Sequence, residues 1–274
     1  MMIAIVSDSS SYLTRDEARM LGVRTVPMTY TQNGCPFTET YIERNGLFEE
    51  SFSRPGVSLS TAHSSVSAFM GTFQELMRRG FFIICLTISS RLSGAYSSAS
   101  IAAREVDPVG GRIIVVDSLT TAAGMYFLIR KTRELIDDGL DLMSIASNIE
   151  EERENIGIVF SVDDMRPLRK SGRLGIVRQS VGTVLNIRPI LMCAEGAVVS
   201  AGLARGKNEQ MRMMLDKVPK NAKSAAIMYI SNPQAPEALR AILAGRGIAC
   251  ELRKLGPVLG IHLGLGVVGI AWSL

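Results

Sequence analysis

The hydrophobic pattern predicts an α/β protein: a parallel sheet covered by helices, followed by an α+β unit. Two observations carry this. Short apolar runs alternate with helical patterns through roughly the first 155 residues, and near Gly157 the texture shifts to closely spaced strands with helices between only some of them. The chain has 274 residues, enough for one large domain or two small ones. The expected division is residues 1–155 and 156–274, with no linker or repeat marking it.

The first apolar run, Ile3–Val6, reads as a buried strand followed by the polar turn Ser7–Ser11. A helix is expected from about Thr14, stopped by Gly22. Further strands are expected at Arg24–Tyr30, Phe81–Leu86 and Arg112–Val116. Between them, Val66, Phe69, Met70, Phe73, Leu76 and Met77 share one helical face that Gly80 closes, and a second helical pattern runs over Ala95–Val106. In the second half, Ile156–Val162 reads as a strand, and Asp163 is placed to cap a short helix ending near Gly172. Strands are then predicted at Ile190–Ala194, Val198–Leu203, Ser224–Ile230 and Cys250–Lys254, with helices over Asn208–Val218 and Ala235–Ala244. The uncharged stretch Leu255–Trp272 is long enough to span a membrane, but Pro257 and five glycines favour strand, loop and strand.

Composition excludes several function classes. A net charge of +4 with 6% aromatic residues suits an anionic ligand better than nucleic acid. The four cysteines lie far apart and neither histidine neighbours one, which argues against zinc and for free thiols in a reducing compartment. The start, MMIAIVSDSS, lacks the basic region of a signal peptide, so the cytoplasm is the expected location. No GxxxxGK[ST] occurs and no GxGxxG opens a helix after a strand, so a nucleotide fold is not expected.

Three polar segments follow or precede the elements of the first half: Ser7–Ser10, Ser60–Ser64 and Ser89–Gly94. In open α/β sheets ligands sit beyond the carboxyl ends of the strands, and helix starts offer free N–H groups. Thr61 and Ser93 are therefore read as a donor cluster for a carboxylate or phosphate, or else as simple helix caps. A Ser93 nucleophile with His262 as base is the enzyme alternative, an acyl or ester hydrolase. It lacks the first glycine of a GxSxG elbow. Between Met165 and Ala194 there is no acid, while Arg166, Arg169, Lys170, Arg173, Arg178 and Arg188 are present. That run is either a solvated face or a docking surface for an acidic or phosphate-bearing partner.

In collinear order, IAIVSDSSSYL, ISSRLSGAYSSA, VVDS, KSGRLG, RPIL and GPVLGIHLGLG resemble the DegV family over nearly the whole chain. The resemblance implies an N-terminal three-layer α/β/α domain with a parallel sheet plus a C-terminal two-layer α+β domain. It also implies binding of a long-chain fatty acid as ligand, with no cofactor, and presentation of its carboxylate to a fatty acid kinase subunit. Storage or sensing of lipid without a kinase is the variant of this reading. Thr61, Ser93, Gly94 and His262 match the family's head-group segments, Arg173 matches a docking arginine, and Arg169 and Arg205 are further docking candidates. A transient contact with a membrane surface belongs to the same expectation. Three departures stand out: Ala62-His63-Ser64 where the pattern has serine, glutamine and proline, which puts His63 close by as a further head-group contact, Leu265 where it has proline, and Ser171 where it has glycine.

Overall fold

The computed structural model describes residues 2–44, 48–173 and 186–274. Arg178 lies outside them. The N-terminal part contains β1 (Ile3–Asp8), α1 (Arg15–Met20), β2 (Val23–Val26), β3 (Met28–Gln32), β4 (Cys35–Glu39), α2 (Phe48–Phe52), β5 (Leu59–Ala62) and α3 (Val66–Arg78). It continues with β6 (Phe82–Thr87), α4 (Ala95–Val106), β7 (Ile113–Asp117), α5 (Ala123–Asp137) and α6 (Leu142–Glu152). Strands β2-β1-β6-β7 form an all-parallel sheet in that order.

Alternation along its central strands separates two apolar faces. Ala4, Val6, Ile83 and Cys85 pack with Phe69 and Phe73 of α3 and Ala99 and Ala102 of α4. Ile3, Ile5, Ile84 and Leu86 face the other way, onto Leu128 and Ile129 of α5 and Ile145 of α6. The three-layer expectation is borne out.

The rest of the chain forms β8 (Ile156–Ser161), α7 (Arg166–Ser171), β9 (Ile187–Ala194), β10 (Ala197–Arg205), α8 (Gly206–Leu215) and β11 (Ser224–Tyr229). After these come α9 (Gln234–Gly245), β12 (Ala249–Lys254), α10 (Pro257–Leu263) and β13 (Val268–Ser273). Its six strands run β10-β9-β8-β13-β11-β12, and all neighbours are antiparallel except β11 and β12. One face, with Val159, Ile227 and Ile270, is covered by Met214 of α8 and Leu239 and Leu243 of α9. The opposite face, with Ile158, Phe160 and Met228, joins the same apolar cluster as α5. Helix α5 is therefore sandwiched between the two sheets.

Gly157 shows how tightly the second sheet is packed. A Cβ there would sit 2.1 Å from a ring carbon of Trp272, its cross-strand partner, which is buried. Gly157→Val is expected to cost at least about 2 kcal/mol through forced displacement of the indole. Chemical denaturation would measure it, and an unchanged midpoint would contradict this packing.

Four expectations are corrected. The strand expected over Arg24–Tyr30 is two strands, because Pro27 has no N–H to continue a ladder: β2 stays in the parallel sheet, and β3 joins β4 and β5 in a small antiparallel sheet. Thr61 lies on β5 rather than at a helix start; the cap of α3 is Ser65, whose side chain accepts from the Ala68 N–H. Asp163 does not cap α7; it pairs with Arg188, and Asp164 accepts from the Arg166 N–H instead. The uncharged stretch after Lys254 holds a helix and a strand. Pro257 opens α10 after extended Gly256, and Gly264, at φ 81°, ends it. Helices α5 and α6 occupy a stretch to which the sequence pattern assigned nothing. No helix among the described residues is long and apolar enough to cross a membrane.

Candidate functional site

Thr61, His63, Ser93, Arg173 and His262 all line one cavity, of about 980 Å³ with its open mouth included. They come from five places: β5, the segment after it, the turn before α4, the end of α7, and α10. His63 and Arg173 are exposed, and Thr61 and Ser93 half-buried, so these side chains surround the mouth. Behind them the lining is buried and apolar: Ile88, Leu168, Leu255, Val258 and Val267.

The back wall is the inner face of the six-stranded sheet. Val198, Cys193, Ile158, Phe160, Gly269 and Met228 line it in succession from β10 to β11. Val198 pairs with Cys193, Cys193 with Ile158, Phe160 with Gly269, and Gly269 with Met228. Five strands at roughly 4.8 Å spacing span about 19 Å. Burial pushes the Cys193 thiol up to about 12, so the wall carries no charge at neutral pH.

Thr61 Oγ1 and His262 Nε2 are 2.8 Å apart, joining β5 to α10. Burial, and then the nearby Arg173 guanidinium, pushes the His262 pKa down to about 4. The imidazole is therefore neutral at physiological pH. In the tautomer that donates from Nε2, the Thr61 proton is free for an anion. Ser93 Oγ accepts from the Ala95 N–H at 3.3 Å, and Gly94 is the N-cap residue of α4. Its oxygen being the acceptor there, the Ser93 hydroxyl keeps its proton to donate, and the start of α4 adds a positive potential beside it. His262 Nε2 is taken by Thr61, and no hydrogen bond joins Ser93 to His262 among the described residues.

The His63 ring lies against Gly94, where a Cβ would come within 2.9 Å of it. The departure from the family pattern thus fills space above the α4 start. Arg173 reaches back to the carbonyls of Ser171, at 2.5 Å, and Leu92. Arg169 and Arg205 are exposed and do not line the cavity; Arg205 ends β10 at the start of α8. Sequence reasoning missed Thr121, which lines the cavity and whose hydroxyl is buried without a partner among the described residues. Its only signal is a polar position before an apolar helix, too common to single out. The backbone beside it, at Ala122, is strained at φ 50°, ψ −124°.

Neutrality of His262 has a measurable consequence. The unfolded chain takes up this proton below pH about 6.5, whereas the folded one resists until about 4. Stability should therefore fall as pH drops from 6.5 towards 4, by roughly 2 kcal/mol once partial exposure is allowed for. His262→Gln should lose that component of the slope. Equal slopes for both proteins in urea denaturation across this window would contradict it.

The family model described as "Uncharacterised protein, DegV family" matches residues 2–274. A DegV domain-containing protein of Halalkalibacterium halodurans is 27% identical over 99% of this chain and 98% of its own length. A DegV family protein from Thermus thermophilus, described as fatty acid binding, is 29% identical and superposes with a TM-score of 0.90 over 100% of both chains. DegV of Bacillus subtilis, described as a fatty acid binding protein, shares the fold at 23% identity, with a TM-score of 0.85 over 100% of this chain and 99% of its own. A model matched from the second residue to the last, together with a common fold over the full length, makes this chain a member of the DegV family.

Proposed function

We propose that this protein is a cytoplasmic carrier that binds a long-chain fatty acid and presents its carboxylate to a separate kinase, doing no chemistry itself. The observation that carries the reading is the convergence of Thr61, Ser93 and His262 at the mouth of a buried apolar cavity. Thr61 and Ser93 donate to the carboxylate, the backbone at Gly94 brings the α4 start against it, and His262 orients Thr61. His63 screens the head group from solvent. Residues 1–155 act as the head-group domain and 156–274 as the domain that walls the tail.

Magnitudes fit. An extended chain advances about 3.5 Å per three backbone bonds, so an acid of about 16 carbons reaches about 18 Å, close to the width of the wall. Burying its methylenes at roughly 0.8 kcal/mol each offers on the order of 12 kcal/mol before association costs. The tail supplies affinity and the hydroxyls supply direction.

Arg173 at the mouth, with Arg169 and Arg205 on the outer surface, forms the docking side for the kinase. Transient contact with a membrane surface would load the acid. Purification from bacterial cells followed by organic extraction and mass spectrometry should release one fatty acid per chain. Folded protein that yields no lipid, and takes none up from solution, would refute the carrier reading. Charge reversal at Arg169 and Arg205, which lie outside the cavity, should abolish kinase-dependent acyl phosphate formation and leave acid binding intact. Full transfer by that variant would remove the docking assignment.

A further inference from the structure

Helix α10 belongs to the C-terminal half of the chain, yet its first free N–H groups are held by the N-terminal half. Pro257 has no N–H to satisfy. The Val258 N–H donates to Glu39 Oε2 at 2.9 Å, and the Leu259 N–H donates to the Tyr12 hydroxyl at 3.0 Å. Glu39 ends β4, Tyr12 follows the turn after β1, and both are buried, with exposures of 1% and 3%. A second layer holds these two in turn. Ser9 Oγ donates to Glu39 Oε1 at 3.2 Å and accepts from the Met28 N–H. Tyr12 itself has a left-handed backbone, φ 48°, a conformation that costs energy for a non-glycine residue. Nothing in the proposed head-group chemistry uses either side chain. One turn further along, α10 carries His262, bonded to Thr61.

We infer that Glu39 and Tyr12 are positioning residues: by gripping the start of α10 they aim His262 at Thr61 and so set the geometry of the carboxylate site. This rests on the head-group reading above and adds the residues that hold it in register. The ionisable groups facing Glu39 are Asp8 at the end of β1, Tyr12, and Tyr30 of β3; none is basic. Burial first, with Asp8 adding to it against the bonds from Val258 and Ser9, pushes the Glu39 carboxyl up to about 8. It is therefore largely protonated in the closed arrangement at neutral pH, whereas a solvent-exposed glutamate ionises near pH 4.5. The grip is strongest at low pH and weakens as pH rises through about 8, above which both forms are ionised and the effect levels off.

The test uses the full-length chain, with cis-parinaric acid as fluorescent ligand and NMR of the histidine ring signals. Only two histidines are present, so His63→Gln assigns the His262 resonances. The parent should bind about fivefold more weakly at pH 8.5 than at 6.5, whereas Glu39→Gln, which keeps both bonds without a titratable proton, should bind as the parent does at pH 6.5 and show no such decline. Glu39→Ala should weaken binding at least about tenfold and shift the His262 resonances. Tyr12→Phe, which removes one oxygen and is expected to fold, should shift them in the same direction by less. Unmoved His262 resonances in Tyr12→Phe and Glu39→Ala, or identical pH profiles for the parent and Glu39→Gln, would overturn the assignment. Failure of the parent to bind the probe would instead defeat the fatty-acid reading, while the resonance shifts would still decide whether α10 is positioned by these residues.

Discussion

Thr61→Val combined with Ser93→Ala is expected to weaken fatty-acid binding by about 100-fold or more while leaving the fold intact. Each hydroxyl stands to give one hydrogen bond to a charged carboxylate, worth roughly 1.5–3 kcal/mol. Losing both removes about 3–6 kcal/mol, and each 1.4 kcal/mol is a factor of ten in affinity. Both side chains are half-buried at the cavity mouth, so their removal leaves no large void in a core. Thr61→Val also strips His262 of its partner, but the neutral imidazole keeps access to solvent. Titration with a fluorescent fatty acid would measure the change, and circular dichroism would verify the fold. Because the apolar wall is untouched, residual binding should persist and should follow chain length. Parent-like affinity in the double variant would place the carboxylate elsewhere.

Arg253→Met is expected to produce the largest loss of stability, about 3–5 kcal/mol, because it leaves a partly buried carboxylate unpaired. The Arg253 guanidinium, on β12, bonds both oxygens of Glu17 at 2.8 and 2.9 Å and donates to the Tyr12 carbonyl at 3.2 Å. It also lies 3.6 Å from the ring centre of Tyr126 on α5. Burial works against the Glu17 charge, but the bonds and field of Arg253 outweigh it and hold the Glu17 pKa below the usual range. One side chain thus ties β12 to α1, to the turn before it and to the helix between the sheets. For a chain of this size the loss corresponds to a fall in Tm of about 10 °C. Adding Glu17→Gln should recover part of it, since the uncompensated charge disappears. A Tm within about 2 °C of the parent for Arg253→Met, no more than the roughly 2–4 °C that 1 kcal/mol would produce, would mean that solvent enters and the clasp contributes little.

The position of Glu39 shows why part of the site lies beyond sequence reasoning. A glutamate at the end of a polar strand has no local feature that distinguishes it from a solvated one. It becomes a buried carboxyl only because Pro257–Leu263 folds as a helix whose start meets it, across a separation of more than 200 residues. His262 is different. Its place in the GPVLGIHLGLG segment singles it out by resemblance, yet glycines that also suit a loop hid the helix that carries it.

Local sequence determined the strands of the parallel sheet, the helices α1, α3 and α4 among them, and the polar turn where Ser93 sits. These follow from apolar periodicities of 2 and 3.6, which are written into neighbouring residues and need no distant partner. Tertiary structure alone decided that Thr61 sits on a strand facing His262 at 2.8 Å, that five strands of a second sheet supply the apolar wall, and that Glu39 and Tyr12 grip the start of α10. The physical reason is that burial and hydrogen-bond partnership between distant segments depend on how layers stack, and a residue's neighbours across a layer leave no periodic mark on the chain.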